Sequence, residues 1–150
     1  MKNELRECNE RLTVLWNQAD ALYVQWAEQC GIRYAELLVL YGLDAVGEAT
    51  QTQMYEQFGL SKQTVNAVIR AWKQSGDILV RPGEKDRRER LLSLSEAGKQ
   101  KAARVLGPLH AAEDYAVSAL GVERVEQMMA TMACMKLLME ERMKLHRELA

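Results

Sequence analysis

Thr50-Gln51-Thr52-Gln53-Met54-Tyr55-Glu56-Gln57-Phe58-Gly59-Leu60-Ser61-Lys62-Gln63-Thr64-Val65, continuing to Ser75-Gly76, carries two helix starts and two helix stops. Thr50 and Gln53 form a capping-box pair, in which the hydroxyl accepts from the N–H three residues on and the amide reaches back. A short helix to Phe58 is predicted. Gly59-Leu60 makes a tight turn, Ser61 caps a second helix running to about Ser75, and Gly76 closes it. Two short helices across a glycine-containing turn predict helix-turn-helix. On a helical wheel Val65, Val68, Ile69 and Trp72 fall within about 100° and face the core. Gln63, Ala67 and Arg70 then point away, flanked by Thr64 and Asn66, and Lys62 sits in the first turn at the positive end of the helix dipole.

That outward face has the chemistry of a DNA reader. Gln and Asn can each take adenine with two hydrogen bonds, Arg can take guanine the same way, and Ser, Thr and Lys suit phosphates. After Gly76 the apolar period shortens. Ile78-Leu79-Val80 and Leu91-Leu92-Ser93-Leu94 read as strands of a hairpin whose tip is the turn-rich Pro82-Gly83-Glu84-Lys85-Asp86. This wing carries Arg81, Lys85, Arg87, Arg88 and Arg90. Such a tip can place arginine in a narrow minor groove, with Asp86 shaping it by pairing with Arg88.

Outward from this centre the chain is helical. Residues 5–28 place Leu5, Cys8, Leu12, the pair Leu15 and Trp16, Ala19, the pair Leu22 and Tyr23, and Trp26 at steps of three or four, a long amphipathic helix broken at Gly31. Tyr34-Ala35-Glu36-Leu37-Leu38-Val39-Leu40-Tyr41 reads as a shorter, buried helix, with Gly42 and Gly47 bracketing its exit. Ser95-Glu96-Ala97-Gly98 opens another long helix, in which Pro108 predicts a kink or break. Beyond Gly121, Met128, Met132, Met135, Met139 and Met143 form a helical seam expected to pack as core. The two ends of the chain have more apolar surface than the central module can cover, so they are expected to meet each other and a second copy.

Of the 150 residues 48% are apolar, enough for a buried core without staples. The net charge of −1 hides an uneven distribution: residues 61–90 hold eight basic and four acidic side chains, a local +4 against −5 elsewhere. A basic patch on an acidic chain is the footprint of a surface facing a polyanion. The longest apolar run, residues 37–41, is far too short to span a bilayer, and the charged start of the chain does not read as a secretory signal, so a cytoplasmic protein is expected. Cys8, Cys30 and Cys134 form no metal-type pair and suit free thiols. His110 and His146 have no partner at ligand spacing, and no catalytic motif is present, so neither a metal, a cofactor nor an enzyme is expected.

The helix-turn-helix segment, Gly76, and Asp86-Arg87-Arg88 shortly before Leu94-Ser95-Glu96-Ala97-Gly98 closely resemble the MarR family of bacterial transcription regulators. The resemblance covers about residues 34–106. It implies a mainly α fold with a small β-hairpin wing: a winged helix-turn-helix with long N- and C-terminal dimerisation helices. The whole chain would be one domain, with a DNA-binding lobe at about 48–95 and dimerisation helices at about 1–30 and 105–150. It also implies a homodimeric repressor on a palindromic operator of double-stranded DNA, released by a small lipophilic or aromatic ligand. Tyr55 departs from the alanine common in the family, so the packing of the two short helices is expected to differ there.

Ser61, Lys62, Gln63, Thr64, Asn66, Arg70, Lys85, Arg87 and Arg88 are the expected DNA contacts. Gln63, Asn66 and Arg70 would meet base edges, and Ser61, Lys62 and Thr64 phosphates. The family's usual ligand cleft, carried over, makes Trp16, Tyr23, Trp26, Tyr34, Leu37 and Leu38 pocket candidates, although aromatics at this spacing also serve as core or dimer interface. Two alternatives stay open: a winged-helix protein-interaction module without DNA binding, and a cysteine-based redox-sensing regulator.

Overall fold

The computed structural model describes residues 2–83 and 89–148, and side chains over 3–83 and 89–145. These fall into two compact units, residues 1–107 and 108–150. The first holds α1 (Lys2–Gln29), α2 (Tyr34–Val46), β1 (Glu48–Thr50), α3 (Gln51–Phe58), α4 (Lys62–Ser75), β2 (Ile78–Pro82), β3 (Arg90–Leu94) and the start of α5 (Glu96–Leu120). The second holds the end of α5 and α6 (Val122–Glu148). Among the described residues no helix is long and apolar enough to cross a membrane.

The local signals act as read. Thr50 Oγ1 accepts from Gln53 N at 3.2 Å while Gln53 Oε1 accepts from Thr50 N at 2.7 Å, so the reciprocal cap starts α3. Ser61 Oγ accepts from Thr64 N at 3.1 Å and starts α4; Gly76, at φ +78, ends it in the left-handed region where glycine carries no Cβ penalty.

Three features differ from expectation. Gly42 lies inside α2 rather than at its exit, which is Gly47. A Cβ at Gly42 would stand 2.5 Å from Phe58 Cε2, so the glycine serves close packing of α2 on α3. The predicted hairpin gains a third strand: β1 pairs antiparallel with β3, giving the order β1-β3-β2, with Ala49 opposite Leu92 and Val80 opposite Leu92 on the other side. Three residues are too few to show an alternating period. Finally, of the kink or break expected at Pro108, the break does not occur: α5 runs through the proline, and the boundary between the units falls there. Proline deprives the Arg104 carbonyl of its usual partner, but the turns on either side sustain the helix.

The core of the first unit joins every element. Leu37, Leu40 and Leu43 of α2, Met54 of α3, Val65, Val68 and Trp72 of α4, Leu92 of β3 and Leu106 of α5 are at most 2% exposed. Each large side chain so buried contributes about 1.5–3 kcal/mol. By contrast, the methionine seam of α6 is not core of this chain: Met128, Met132, Met139 and Met143 are exposed, with Met135 half-buried.

Candidate nucleic-acid interface

Burial fixes the orientation of α4. Val65, Val68, Ile69 and Trp72 face inward, while Gln63, Asn66, Ala67 and Arg70 are exposed at steps of three, one and three, a single outward stripe. Asn66 therefore lies on this stripe rather than beside it. Ser61 and Thr64 are tied together, their hydroxyl oxygens 2.8 Å apart, so both are partly engaged in holding the start of the helix. Lys62 Nζ stands 5.3 Å from the centroid of the Tyr55 ring, and the Tyr55 hydroxyl donates to Thr52 Oγ1 at 3.0 Å. The tyrosine thus packs under the first turn of α4 by cation–π attraction and anchors itself to α3.

Of the wing, Lys85, Arg87 and Arg88, together with Asp86, lie outside the described residues. Arg81 is engaged within the sheet. Its Nε and Nη2 donate to Glu48 Oε1 and Oε2 at 3.0 and 2.6 Å, reaching across β3 from β2 to β1. Those bonds, with the guanidinium charge, hold the Glu48 carboxyl below its ordinary range. Arg90 stands elsewhere: with Thr50, Gln51, Thr52 and Glu89 it lines a hollow of about 280 Å³ at the start of α3. The sequence reading missed this grouping because only the β1–β3 pairing, which sets Thr50 opposite Leu91, brings the segments together. The capping box was the available signal, but it reads as a helix start alone.

The C-terminal end of α4 is clamped by α5. Ser95 Oγ donates to Gly76 O at 2.6 Å, Ser95 N donates to Asp77 O at 3.0 Å, and Gly98 N donates back to Ser95 Oγ at 3.1 Å. A Cβ on Gly98 would lie under 3.0 Å from the Asp77 carbonyl oxygen, so the Leu94-Ser95-Glu96-Ala97-Gly98 motif is the imprint of backbone meeting helix. One turn on, Lys101 Nζ reaches Asp77 Oδ2 at 3.0 Å and stands 4.7 Å from the Trp72 ring centroid. Trp72 Nε1 donates to Glu36 Oε1 at 3.0 Å. Burial alone would raise the Asp77 carboxyl, but bonds from Lys101 and Ser75 and the charges of Lys101 and Arg104 outweigh it and hold the group low. Glu36 is likewise lowered: against burial stand the Arg33 backbone N–H and guanidinium and the Trp72 indole.

The six pocket candidates have different surroundings. Leu37 is core at 1% exposure, and Trp16 is 56% exposed. Tyr23, Trp26, Tyr34 and Leu38 are half-buried. Trp26 Nε1 donates to Val105 O at 2.9 Å, joining α1 to α5. The Tyr34 hydroxyl donates to Asp20 Oδ1, joining α2 to α1; burial first, then that bond and the charges of Asp20 and Tyr23, push its pKa up to about 12. A hollow of about 410 Å³ lies elsewhere, lined by Val46, Glu48, Ala49, Gln53, Glu56 and Gln57. Cys8 and Cys134 are exposed and Cys30 is half-buried, all as free thiols.

Comparison with known proteins agrees with this geometry. The MarR family model matches residues 31–89, from the turn before α2 to the wing. No curated protein matches the sequence. Among solved structures, NMB1585, a MarR family regulator from Neisseria meningitidis, is 30% identical at a TM-score of 0.80, covering 94% of this chain and 96% of that one. AbfR of Staphylococcus epidermidis shares the fold at 19% identity and a TM-score of 0.72, over 93% and 97% of the two chains. BpsR of Bordetella bronchiseptica, whose DNA binding is regulated by 6-hydroxynicotinic acid, shares it at 18% and 0.63, over 84% and 98%. With an outward polar stripe on a capped second helix, a wing hairpin set in a three-stranded sheet, and near full-length likeness to a MarR regulator, the chain belongs to the MarR family of transcription regulators, which are typically DNA-binding.

Proposed function

We propose that the chain is a sequence-specific repressor that binds a palindromic operator as a homodimer and is released by a small lipophilic or aromatic ligand. The observation that carries the DNA-reading part is the exposed stripe Gln63, Asn66, Ala67 and Arg70, set directly opposite the buried face of α4. In this reading α4 enters the major groove of each half-site, and Gln63, Asn66 and Arg70 meet base edges. Ser61, Lys62 and Thr64 meet phosphates, as do Thr52 and Arg90 beside the start of α3. Lys85, Arg87 and Arg88 extend the contact through the wing.

Dimerisation is supported by the uncovered apolar side chains at both ends of the chain. Leu5, Leu15, Trp16 and Leu22 of α1 are each more than half exposed, as are Met128, Leu138, Met139 and Met143 of α6. Apolar surface of that extent calls for a partner. The whole chain then acts as one MarR-type domain, with its DNA-binding lobe at about 48–95 and the terminal helices as arms, working in the cytoplasm where the operator is. The ligand would sit among Trp16, Tyr23, Trp26, Tyr34, Leu37 and Leu38. Regulation of BpsR by an aromatic acid supports that class of effector. A ligand weakens operator binding only by its preference for a dimer with the wrong helix spacing.

The test is fluorescence anisotropy with a duplex enriched by the protein from a randomised pool and with its scramble, each at two salt concentrations. Binding that prefers the enriched duplex and falls steeply with salt is expected, the slope being about −0.9 per neutralised phosphate. Absence of any salt-dependent binding by a confirmed dimer would favour a protein-interaction module instead.

A further inference from the structure

The clamp on α4 has two kinds of member. Ser95 and Gly98 grip the backbone at Gly76 and Asp77, which fixes one point just beyond the helix end. A helix held at one point can still swing about it. Lys101 adds a second point, because its ammonium touches both Asp77 Oδ2, at 3.0 Å, and the ring of Trp72, 4.7 Å to the centroid and inside α4 itself. Glu36 of α2 holds the same indole by its N–H. The helix is thus fixed at its end and again at Trp72, one turn inside, which removes the swing.

The pair at the centre is shielded from water. The side chains of Lys101 and Asp77 are 19% and 15% exposed, unlike the half-exposed Arg81–Glu48 pair or the largely solvated pairs along α1 and α6. Removing one charge from a shielded pair leaves the other without compensation, so the arrangement yields or holds as a unit. None of these side chains belongs to the outward stripe, so none meets a base.

We propose that Lys101 is a positioning residue for DNA reading: by bridging Asp77 and the Trp72 ring it locks the recognition helix α4 to α5 at the angle that keeps Gln63, Asn66 and Arg70 in register with bases. This rests on the DNA-reading function proposed above. It also gives α5 a rigid route by which a change in that helix turns the reading face.

The variants are Lys101→Met, which keeps an aliphatic stem on Trp72 and removes the charge; Lys101→Arg, which restores the charge; and Lys99→Met, the same change at an exposed neighbour. Two readouts are taken on the full chain: amide hydrogen exchange over residues 69–77 without DNA, and the ratio of affinities for the enriched duplex and its scramble. For Lys101→Met, exchange at the end of α4 should quicken about tenfold. The affinity ratio should fall about tenfold, the discrimination of roughly one base contact. The salt slope should stay unchanged, because phosphate contacts survive a tilted helix. Lys101→Arg should restore both and Lys99→Met alter neither. Should Lys101→Met fail to fold, Asp77→Asn, which keeps the shape of the side chain and removes the charge that Lys101 holds, should shift both readouts in the same direction.

Unchanged exchange and an unchanged ratio would overturn the proposal. So would equal weakening on both duplexes with a shallower salt slope, which would make Lys101 a phosphate contact. A wild-type chain that enriches no duplex would refute the DNA-reading function, while the exchange measurement would still judge whether Lys101 locks α4.

Discussion

Replacing Gly98 by alanine sets two known effects against each other. Within a helix, alanine is favoured over glycine by about 1 kcal/mol. At position 98, however, the new Cβ would fall under 3.0 Å from the Asp77 carbonyl oxygen, 3.1 Å from its carbon and 3.3 Å from Leu94 Cβ. The nearest atom is backbone, so no side chain can swing away, and α5 must lift from the end of α4. Lifting stretches the Ser95 N–Asp77 O and Ser95 Oγ–Gly76 O bonds and the Lys101–Asp77 pair. Neutral hydrogen bonds are worth about 0.5–1.5 kcal/mol each and charged ones about 1.5–3, so partial loss of the three outweighs the propensity gain. The expected net cost is about 2–4 kcal/mol, or a Tm lower by about 5–15 °C in a domain of this size. Gly107→Ala is the internal control, because that glycine is in the same helix and an added Cβ there would meet nothing within 4 Å; it should stabilise by about 0.5–1 kcal/mol. Urea unfolding followed by circular dichroism, at one fixed protein concentration because a dimer's stability depends on it, measures both. If Gly98→Ala proves as stable as Gly107→Ala, the clamp is not the close backbone contact described above.

Three further outcomes are expected. Arg70→Ala should relax sequence preference by about 1–3 kcal/mol in competition between the enriched duplex and single-base variants; equal weakening on all of them would assign Arg70 to phosphate instead. Ser61→Ala removes the cap on α4 and should cost about 1 kcal/mol in the same urea assay, with Ser61→Thr close to wild type. Asp77 and Glu36 are held below their ordinary values of 3.8 and 4.5, so the unfolded chain takes up their protons first. Their contribution to stability is therefore complete above about pH 5 and drains as pH falls through the ordinary carboxylate range toward the lowered folded values. Asp77→Asn should flatten the fall in stability between about pH 5 and pH 3; an unaltered slope would mean that its pairing with Lys101 does not form in solution.

What could be read along the chain was what a few neighbouring residues decide among themselves. The Thr50–Gln53 box, the Ser61 cap and the Gly76 stop act over three or four positions. The inward set Val65, Val68, Ile69 and Trp72 follows from helical periodicity, so the outward set, which carries the proposed function, was legible too. Glycine is ambiguous by nature. Gly42 and Gly98 read as possible breaks or openings, yet each is there because another element comes too close for a Cβ. The third strand was hidden because three residues gain their strand character from pairing with β3, not from their own sequence. Likewise nothing in the sequence singles out Lys101, and Arg81 reads as one more wing cation. Their partners, Asp77 and Glu48, are 24 and 33 positions away, and such pairings arise only when packing brings distant segments within a few ångströms. Local hydrogen bonding and periodicity wrote the helix-turn-helix into the sequence; long-range burial decided how firmly, and at what angle, its reading helix is held.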